Sequence, residues 1–257
     1  MIFRHKKKLG QHFLLNEKIS EKIVSIKKIE NEEVIEIGPG KGHLTKKIIS
    51  QKPSKLTLIE KDISLKPYLK KIIKKYEIIN INLIFDDVTK LKLRKFSKKK
   101  QILIANLPYN IASTLIIDWL TYLNKFKCLI IMVQKEVAER LSAEVKSKFY
   151  GRLSILIQLH ANVISKFDVG AENFFPKPKV ESCVLEIIPK TKKNFNYKNL
   201  DKILRIAFFQ RRKTLKNNLI KYDLMVEKKI IGCGINPSCR PQELSPLDYL
   251  KLSKALF

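Results

Sequence analysis

Hydrophobic positions along the chain gather into short runs of strand character at 33–38 (EVIEIG), 55–60 (KLTLIE), 81–85 (INLIF), 101–106 (QILIAN) and 128–133 (CLIIMV). Between them, segments 43–51, 63–76 and 111–123 carry helix-like spacing. Strands alternating with helices predict parallel βαβ units, hence an α/β sheet covered on both faces. A further strand, rich in β-branched residues, is expected at 179–188 (KVESCVLEII). After 188–190 the pattern changes. TKKNFNYKN is polar and basic, and the remainder of the chain reads as short helices punctuated at Gly232, Gly234, Pro237, Pro241 and Pro246. This predicts a boundary near 190–197, with a larger domain over 1–190 and a small helical one over 191–257. No internal repeat is evident.

Composition adds one strong feature. The 257 residues are 45% hydrophobic, enough for a sizeable core, but 52 Lys+Arg against 24 Asp+Glu leave a net charge of +28. Such a field favours a polyanion, nucleic acid first and an anionic membrane second. Part of it comes from a chain rich in Lys, Ile and Asn. No run approaches the roughly 18 apolar residues of a membrane span, and the apolar stretch near the N-terminus is too short for a signal peptide. Cys128, Cys183, Cys233 and Cys239 lack metal-ligand spacing, and none of the four His residues forms an H-x-x-x-H pair. Free thiols and no metal site are expected.

The candidate chemistry begins at VIEIGPGKGHLT (34–45), where Gly38, Gly40 and Gly42 come after a strand and open a helix. A dinucleotide fingerprint would need a glycine at His43, and a phosphate-binding P-loop would need a different glycine and lysine spacing. The turn therefore suits a nucleoside-like ligand without phosphates. Glu60 ends the next strand, 22 residues after Gly38, near the spacing at which an acidic residue accepts from ribose hydroxyls. In IFDDVTKL, Asp86 or Asp87 could accept from an adenine amino group.

NLPYN (106–110) ends the fourth strand at the carboxyl edge of the sheet, where open α/β sheets bind ligands. An adenine amine is a poor nucleophile because its lone pair is delocalised into the ring. The Asn106 side-chain oxygen and a nearby backbone carbonyl could hold its two hydrogens. Pro108 stiffens that backbone, and Tyr109 offers a face for a flipped base. The amine would then be poised to attack an electrophilic methyl group.

With KKKLGQHFL (6–14), EIGPGKGHLT, NLPYNIAS, FFPKPKVES (174–182), RRKTLKNNL (211–219) and RPQELSPLDYLKL (240–252), the chain resembles the ribosomal RNA adenine dimethyltransferases over nearly its whole length. The resemblance implies a Rossmann-like S-adenosylmethionine-dependent methyltransferase sheet with a small helical C-terminal domain. It implies cofactor contacts at His12, Leu14, Gly38, Gly40, Glu60, Asp87 and Asn106. It further implies that Asn106, Leu107, Pro108 and Tyr109 serve catalysis, with Phe174 as a second base-stacking aromatic. Phe175 is the extra ring, expected in the core. Asp86 stands where relatives often have Gly. The basic run contributes Arg211, Arg212, Lys213 and Lys216, expected within about two helical turns as contacts to RNA phosphates.

The implied activity is dimethylation at N6 of two adjacent adenosines near the 3′ end of small-subunit ribosomal RNA, during small-subunit biogenesis. The implied partners are that RNA and the immature small subunit, for a cytoplasmic monomer without a membrane or metal. Two alternatives stand beside it. A large-subunit ribosomal RNA adenine methyltransferase would share NLPY and the glycine turn, but RPQELSPLDYLKL favours the small-subunit enzyme. An assembly factor that had lost catalysis is disfavoured by intact Glu60, Asp87 and NLPY.

Overall fold

A computed structural model describes residues 11–76, 80–191 and 195–257. The beginning of the KKKLGQHFL motif, with the N-terminal run before it, lies outside the described residues. So do residues 192–194 of the expected boundary segment.

The first half of the chain runs through β1 (Phe13–Leu14), α1 (Glu17–Val24), β2 (Glu33–Ile37), α2 (His43–Ser50), β3 (Lys55–Glu60) and α3 (Lys66–Lys75). Beyond it lie β4 (Asn80–Phe85), β5 (Gln101–Asn106), α4 (Ala112–Trp119), β6 (Phe126–Gln134), α5 (Lys135–Leu141) and α6 (Arg152–His160). Next come β7 (Ala161–Val169), β8 (Phe174–Phe175) and β9 (Ser182–Pro189). The chain ends in α7 (Tyr197–Ala207), α8 (Leu215–Leu219), α9 (Val226–Gly232) and α10 (Pro246–Leu256).

Seven strands form one sheet in the order β4-β3-β2-β5-β6-β9-β7, while β1 and β8 pair separately and antiparallel. From β4 to β6 the neighbours are parallel, and β9 runs antiparallel to β6. β2, β3, β5 and β6 are buried along almost their whole length. That is the signature of strands covered on both faces, and it explains why their sequences read as continuous apolar runs. The chain winds outward from β2 through β3 to β4, then returns to β5 on the other side of β2. The carboxyl ends of β2 and β5 thus flank the topological switch point, where doubly wound sheets bind ligands. In register, Ile37 faces Ala105 and Glu60 faces Phe85, so Gly38, Glu60, Asp86 and Asn106 emerge along one edge.

Several boundaries differ from expectation. The segment 63–76 begins as a tight 3₁₀ turn at Ile63–Leu65 and becomes α-helical only at Lys66, where Pro67 suits a first turn. The helix expected over 111–123 stops at Trp119 and continues as 3₁₀ turns, broken by the non-helical backbone of Tyr122. The last strand in chain order starts at Ser182 rather than 179. The seventh strand, β7, was unmarked in the sequence because its largely exposed, polar-interrupted residues lack a continuous apolar run.

The chain divides into two compact units, one taking residues up to Ala138 with Val163–Pro189 and the other Glu139–Asn162 with Lys190–Phe257. A single cut at 190 therefore misplaces residues 139–162. Within the second unit the Arg152 guanidinium pairs with Asp201 of α7, and the Tyr150 hydroxyl donates to the Leu244 carbonyl. Those ties are tertiary, which is why a change in composition could not reveal them. Leu200, Ile203, Leu204, Leu215, Ile230, Tyr249 and Leu252 form this unit's buried interior. Among the described residues no helix is long and apolar enough to cross a membrane, and no His/Cys/Asp/Glu group could hold a metal. All four cysteines are free thiols.

Candidate active site

After β2 the backbone turns through Gly38 (φ 68°), Gly40 (φ 59°) and Gly42 (φ 80°), a conformation that side chains rarely tolerate. At Gly40 a Cβ would also meet the Phe13 ring at 2.8 Å. Glycine here lets the turn close under β1 and leaves its backbone bare toward the cleft. Gly42 begins α2 without a side-chain cap. The first N–H groups of the helix are thus suited to a ligand carboxylate.

Glu60 closes the opposite wall. Its carboxylate accepts from the N–H of Gly40 at 3.1 Å and from the N–H of Asp62 at 2.8 Å, so it shapes the glycine turn as well as facing the cleft. Burial pushes its carboxyl above the ordinary range, against the backbone bonds that pull it down. With about four lone-pair sites, the carboxylate keeps acceptor capacity beyond its backbone bonds. Asp87 accepts from the Thr89 N–H and hydroxyl and pairs with Lys61 at 2.8 Å. The Lys61 ammonium, ahead of the Thr89 bonds, holds its carboxyl down at about 2, so it stays ionised as an acceptor. Asp86 accepts from the Asp87 N–H and also lines the cleft.

The third wall is NLPY. The Asn106 side-chain nitrogen donates to the His12 carbonyl at 3.0 Å, and the Leu107 N–H donates to the Met132 carbonyl. The Pro108 carbonyl accepts from Ile111 and Ala112, anchoring the segment to the start of α4. Tyr109 stacks on the His12 ring at 5.2 Å and shares a 2.7 Å hydrogen bond with the Ser182 hydroxyl. Through Nδ1–H, His12 donates to the Pro176 carbonyl at 2.7 Å. Three motifs far apart in sequence therefore meet at His12.

His12, Leu14, Gly38, Gly40, Glu60, Asp87, Asn106, Leu107, Pro108 and Tyr109 all line one cleft. Leu14 is buried, paired with Phe174 between β1 and β8. The two phenylalanines reverse the sequence expectation. Phe174 is only 4% exposed and packs in the main core, whereas Phe175 is 55% exposed. Register with β1 turns the first ring inward and the second outward.

The basic run also departs from expectation. Residues 210–213 form turns, and the helix begins only after Thr214, whose side chain caps it. The Arg211 guanidinium donates to the carbonyls of Lys148 and Tyr150, while Lys216 pairs with Glu227. Arg212 and Lys213 remain as exposed cations.

Four contributors went unseen in the sequence. Gln11 donates to the buried Asp62, Ser182 holds Tyr109, and half-buried His43 lines the cleft with its imidazole held below its ordinary range, chiefly by burial. The fourth, Glu36 on β2, is buried and accepts from the Thr45 hydroxyl at 2.7 Å, while its Oε1 has no partner. Nothing in a strand's apolar pattern marks a serine or an acid for such work.

A bare glycine turn, an uncapped helix start, a strand-end carboxylate and an ionised aspartate are the donors and acceptors an adenosyl amino acid requires. The sequence profile described as ribosomal RNA adenine dimethylase matches residues 2–256. The chain belongs to that family. A protein of Pelagibacter ubique named ribosomal RNA small subunit methyltransferase A is 42% identical, over 99% of this chain and 97% of its own. One of the same name from Ehrlichia ruminantium is 40% identical, over 98% and 97%. Among solved structures, a dimethyladenosine transferase from Plasmodium falciparum superposes with a TM-score of 0.79 at 31% identity, covering 94% of this chain and 96% of that one. As a family member the chain is an S-adenosylmethionine-dependent methyltransferase of ribosomal RNA adenine.

Proposed function

We propose that the protein methylates N6 of two adjacent adenosines near the 3′ end of small-subunit ribosomal RNA, twice each, acting as a cytoplasmic monomer on an immature small subunit. The observation that carries the reading is the placement of Asn106 at the switch point. Its nitrogen is committed to the His12 carbonyl and its backbone lies against the glycine turn, where a Cβ on Gly38 would come within 3.6 Å of the Asn106 carbonyl. The names of the relatives support the choice of the small subunit.

S-adenosylmethionine supplies an electrophilic methyl group whose sulfur leaves as a neutral thioether. The protein has to present an amine to it. With its nitrogen held by the His12 carbonyl, the Asn106 oxygen would accept from that amine and favour a pyramidal, more nucleophilic nitrogen. Tyr109, held edge-on by Ser182 and face-on by His12, fixes the flipped base, and Pro108 limits backbone movement. Glu60 and Asp87, which line the cleft, would hold the ribose and adenine of the donor. The amine proton passes to water after transfer, so alignment and charge placement supply most of the rate.

The test offers labelled S-adenosylmethionine to unmethylated small and large subunits separately. Label is expected on the small-subunit RNA at adjacent adenosines. Label confined to the large subunit would overturn the substrate assignment.

A further inference from the structure

The segment after β8 alternates between inward and outward side chains. Phe174 and Pro178 are buried and Pro176 is half-buried, whereas Phe175, Lys177 and Lys179 are exposed. The two prolines stiffen the backbone that presents this outer face. A single exposed phenylalanine is ordinary on a protein surface. Two observations set this one apart. Its strand partner is Phe13, next to His12, and the carbonyl of the adjoining Pro176 bonds the His12 ring that stacks on Tyr109. Phe175 therefore stands at the rim of the site that receives the base. Moreover, Lys177 and Lys179 have no ion-pair partner among the described residues, while the nearby Lys135 and Lys166 are neutralised by Asp168, Glu181 and Glu186.

We propose that Phe175, Lys177 and Lys179 form the RNA-facing rim of the site, with Phe175 stacking the base next to the target adenosine and the lysines meeting the adjoining phosphates. The inference rests on the reading that two adjacent adenosines are methylated. When one occupies the cleft the other is its neighbour, and after the shift by one nucleotide the neighbour is a different base. A platform that recognises only the π-face of a base serves both positions, because base–aromatic stacking is tolerant of sequence. Unpaired cations beside it fit a strand whose phosphates must slide by one repeat. Phe174, turned into the core, does not offer this surface.

The experiment compares wild type, Phe175→Ala, Phe175→Tyr and the pair Lys177→Glu/Lys179→Glu in single-turnover methylation of unmethylated small subunits, with calorimetry of S-adenosylmethionine on the same preparations. For Phe175→Ala the subunit concentration giving half-maximal rate should rise roughly ten-fold, the effect of one lost stack. Phe175→Tyr should restore it, and cofactor affinity should match wild type in every variant. Reversing the lysines should lower the log–log salt slope of subunit binding by roughly 0.7 per contact. An unchanged half-maximal concentration in Phe175→Ala, or an unchanged salt slope, overturns the rim. Failure of wild type to methylate the small subunit would instead remove the reading on which the rim depends.

Discussion

The side-chain nitrogen of Asn106 donates to the backbone carbonyl of His12 at 3.0 Å, across 94 positions of sequence. A carbonyl only accepts, so the nitrogen end of the amide is committed and the oxygen end is left for a substrate amine. Asn106→Ala should reduce single-turnover methylation at saturating S-adenosylmethionine by about 10²–10³, the loss of one transition-state contact, with subunit binding largely intact. Asn106→Asp should fail as well, because it sets a carboxylate oxygen against the His12 carbonyl. A wild-type rate in either variant would refute the amine-positioning role.

Glu60 ties the two sides of the cofactor cleft by accepting from Gly40 and Asp62. Glu60→Ala removes both acceptors and the expected ribose contact. S-adenosylmethionine affinity should fall by about ten- to a hundred-fold, or ~1.5–3 kcal/mol, while RNA affinity holds. Calorimetry with an unchanged cofactor affinity would take Glu60 out of the site.

Tyr109 and Ser182 share one 2.7 Å hydrogen bond, with Ser182 fully buried. If Ser182 acts through Tyr109, Tyr109→Phe and Ser182→Ala should each slow methylation and the double variant should be no slower than the worse single one. The coupling expected for contacting residues is about 0.5–3 kcal/mol. Additive effects on the rate would mean that Ser182 works elsewhere.

Glu36 gives a pH dependence with a defined sign. Burial, ahead of the opposing Thr45 hydrogen bond, raises its carboxyl from an ordinary 4.5 to about 8. The folded state therefore holds a proton that the unfolded chain releases between these values, and stability from this group is full below about 4.5 and lost as pH rises through about 8. Denaturant midpoints of Glu36→Gln should accordingly fall less steeply than those of wild type between about pH 5 and 8. Parallel curves would show that Glu36 is not carrying the proton.

Neighbouring arginines should separate. Arg211 donates to two carbonyls within its own unit, so Arg211→Ala should cost about 1–3 kcal/mol of stability, read as a lower Tm. Arg212→Glu should leave Tm nearly unchanged and flatten the salt dependence of RNA binding by roughly 0.7–0.9 in the log–log slope. The opposite assignment of the two effects would mean that the Arg211 bonds are dispensable.

Local periodicity and backbone sterics are legible in the chain before it folds. Continuous apolar runs at 33–38, 55–60 and 101–106 became buried parallel strands, because burial on both faces removes polar alternation. Gly38, Gly40 and Gly42 announced left-handed backbone, since a Cβ is poorly tolerated there. Residues placed by strand ends, among them Glu60, Asp87 and Asn106, could be read in advance because a parallel sheet carries its strand ends to one edge.

Register and long-range pairing belong instead to the folded molecule. His12 meets Asn106, Tyr109 and Pro176 because β1 folds back to pair with β8, and the ring bonds a carbonyl 164 positions away. In a pair of adjacent phenylalanines no pattern says which faces inward. The register of Phe13 with Phe175 and of Leu14 with Phe174 settles it, since a shift of one residue exchanges the two faces. The same holds for Arg211, whose charge is visible in the chain but whose partners at Lys148 and Tyr150 are fixed only when residues 139–162 pack with the C-terminal helices. Periodicity is a property of neighbours along the chain, whereas these contacts depend on which distant backbone a fold brings alongside.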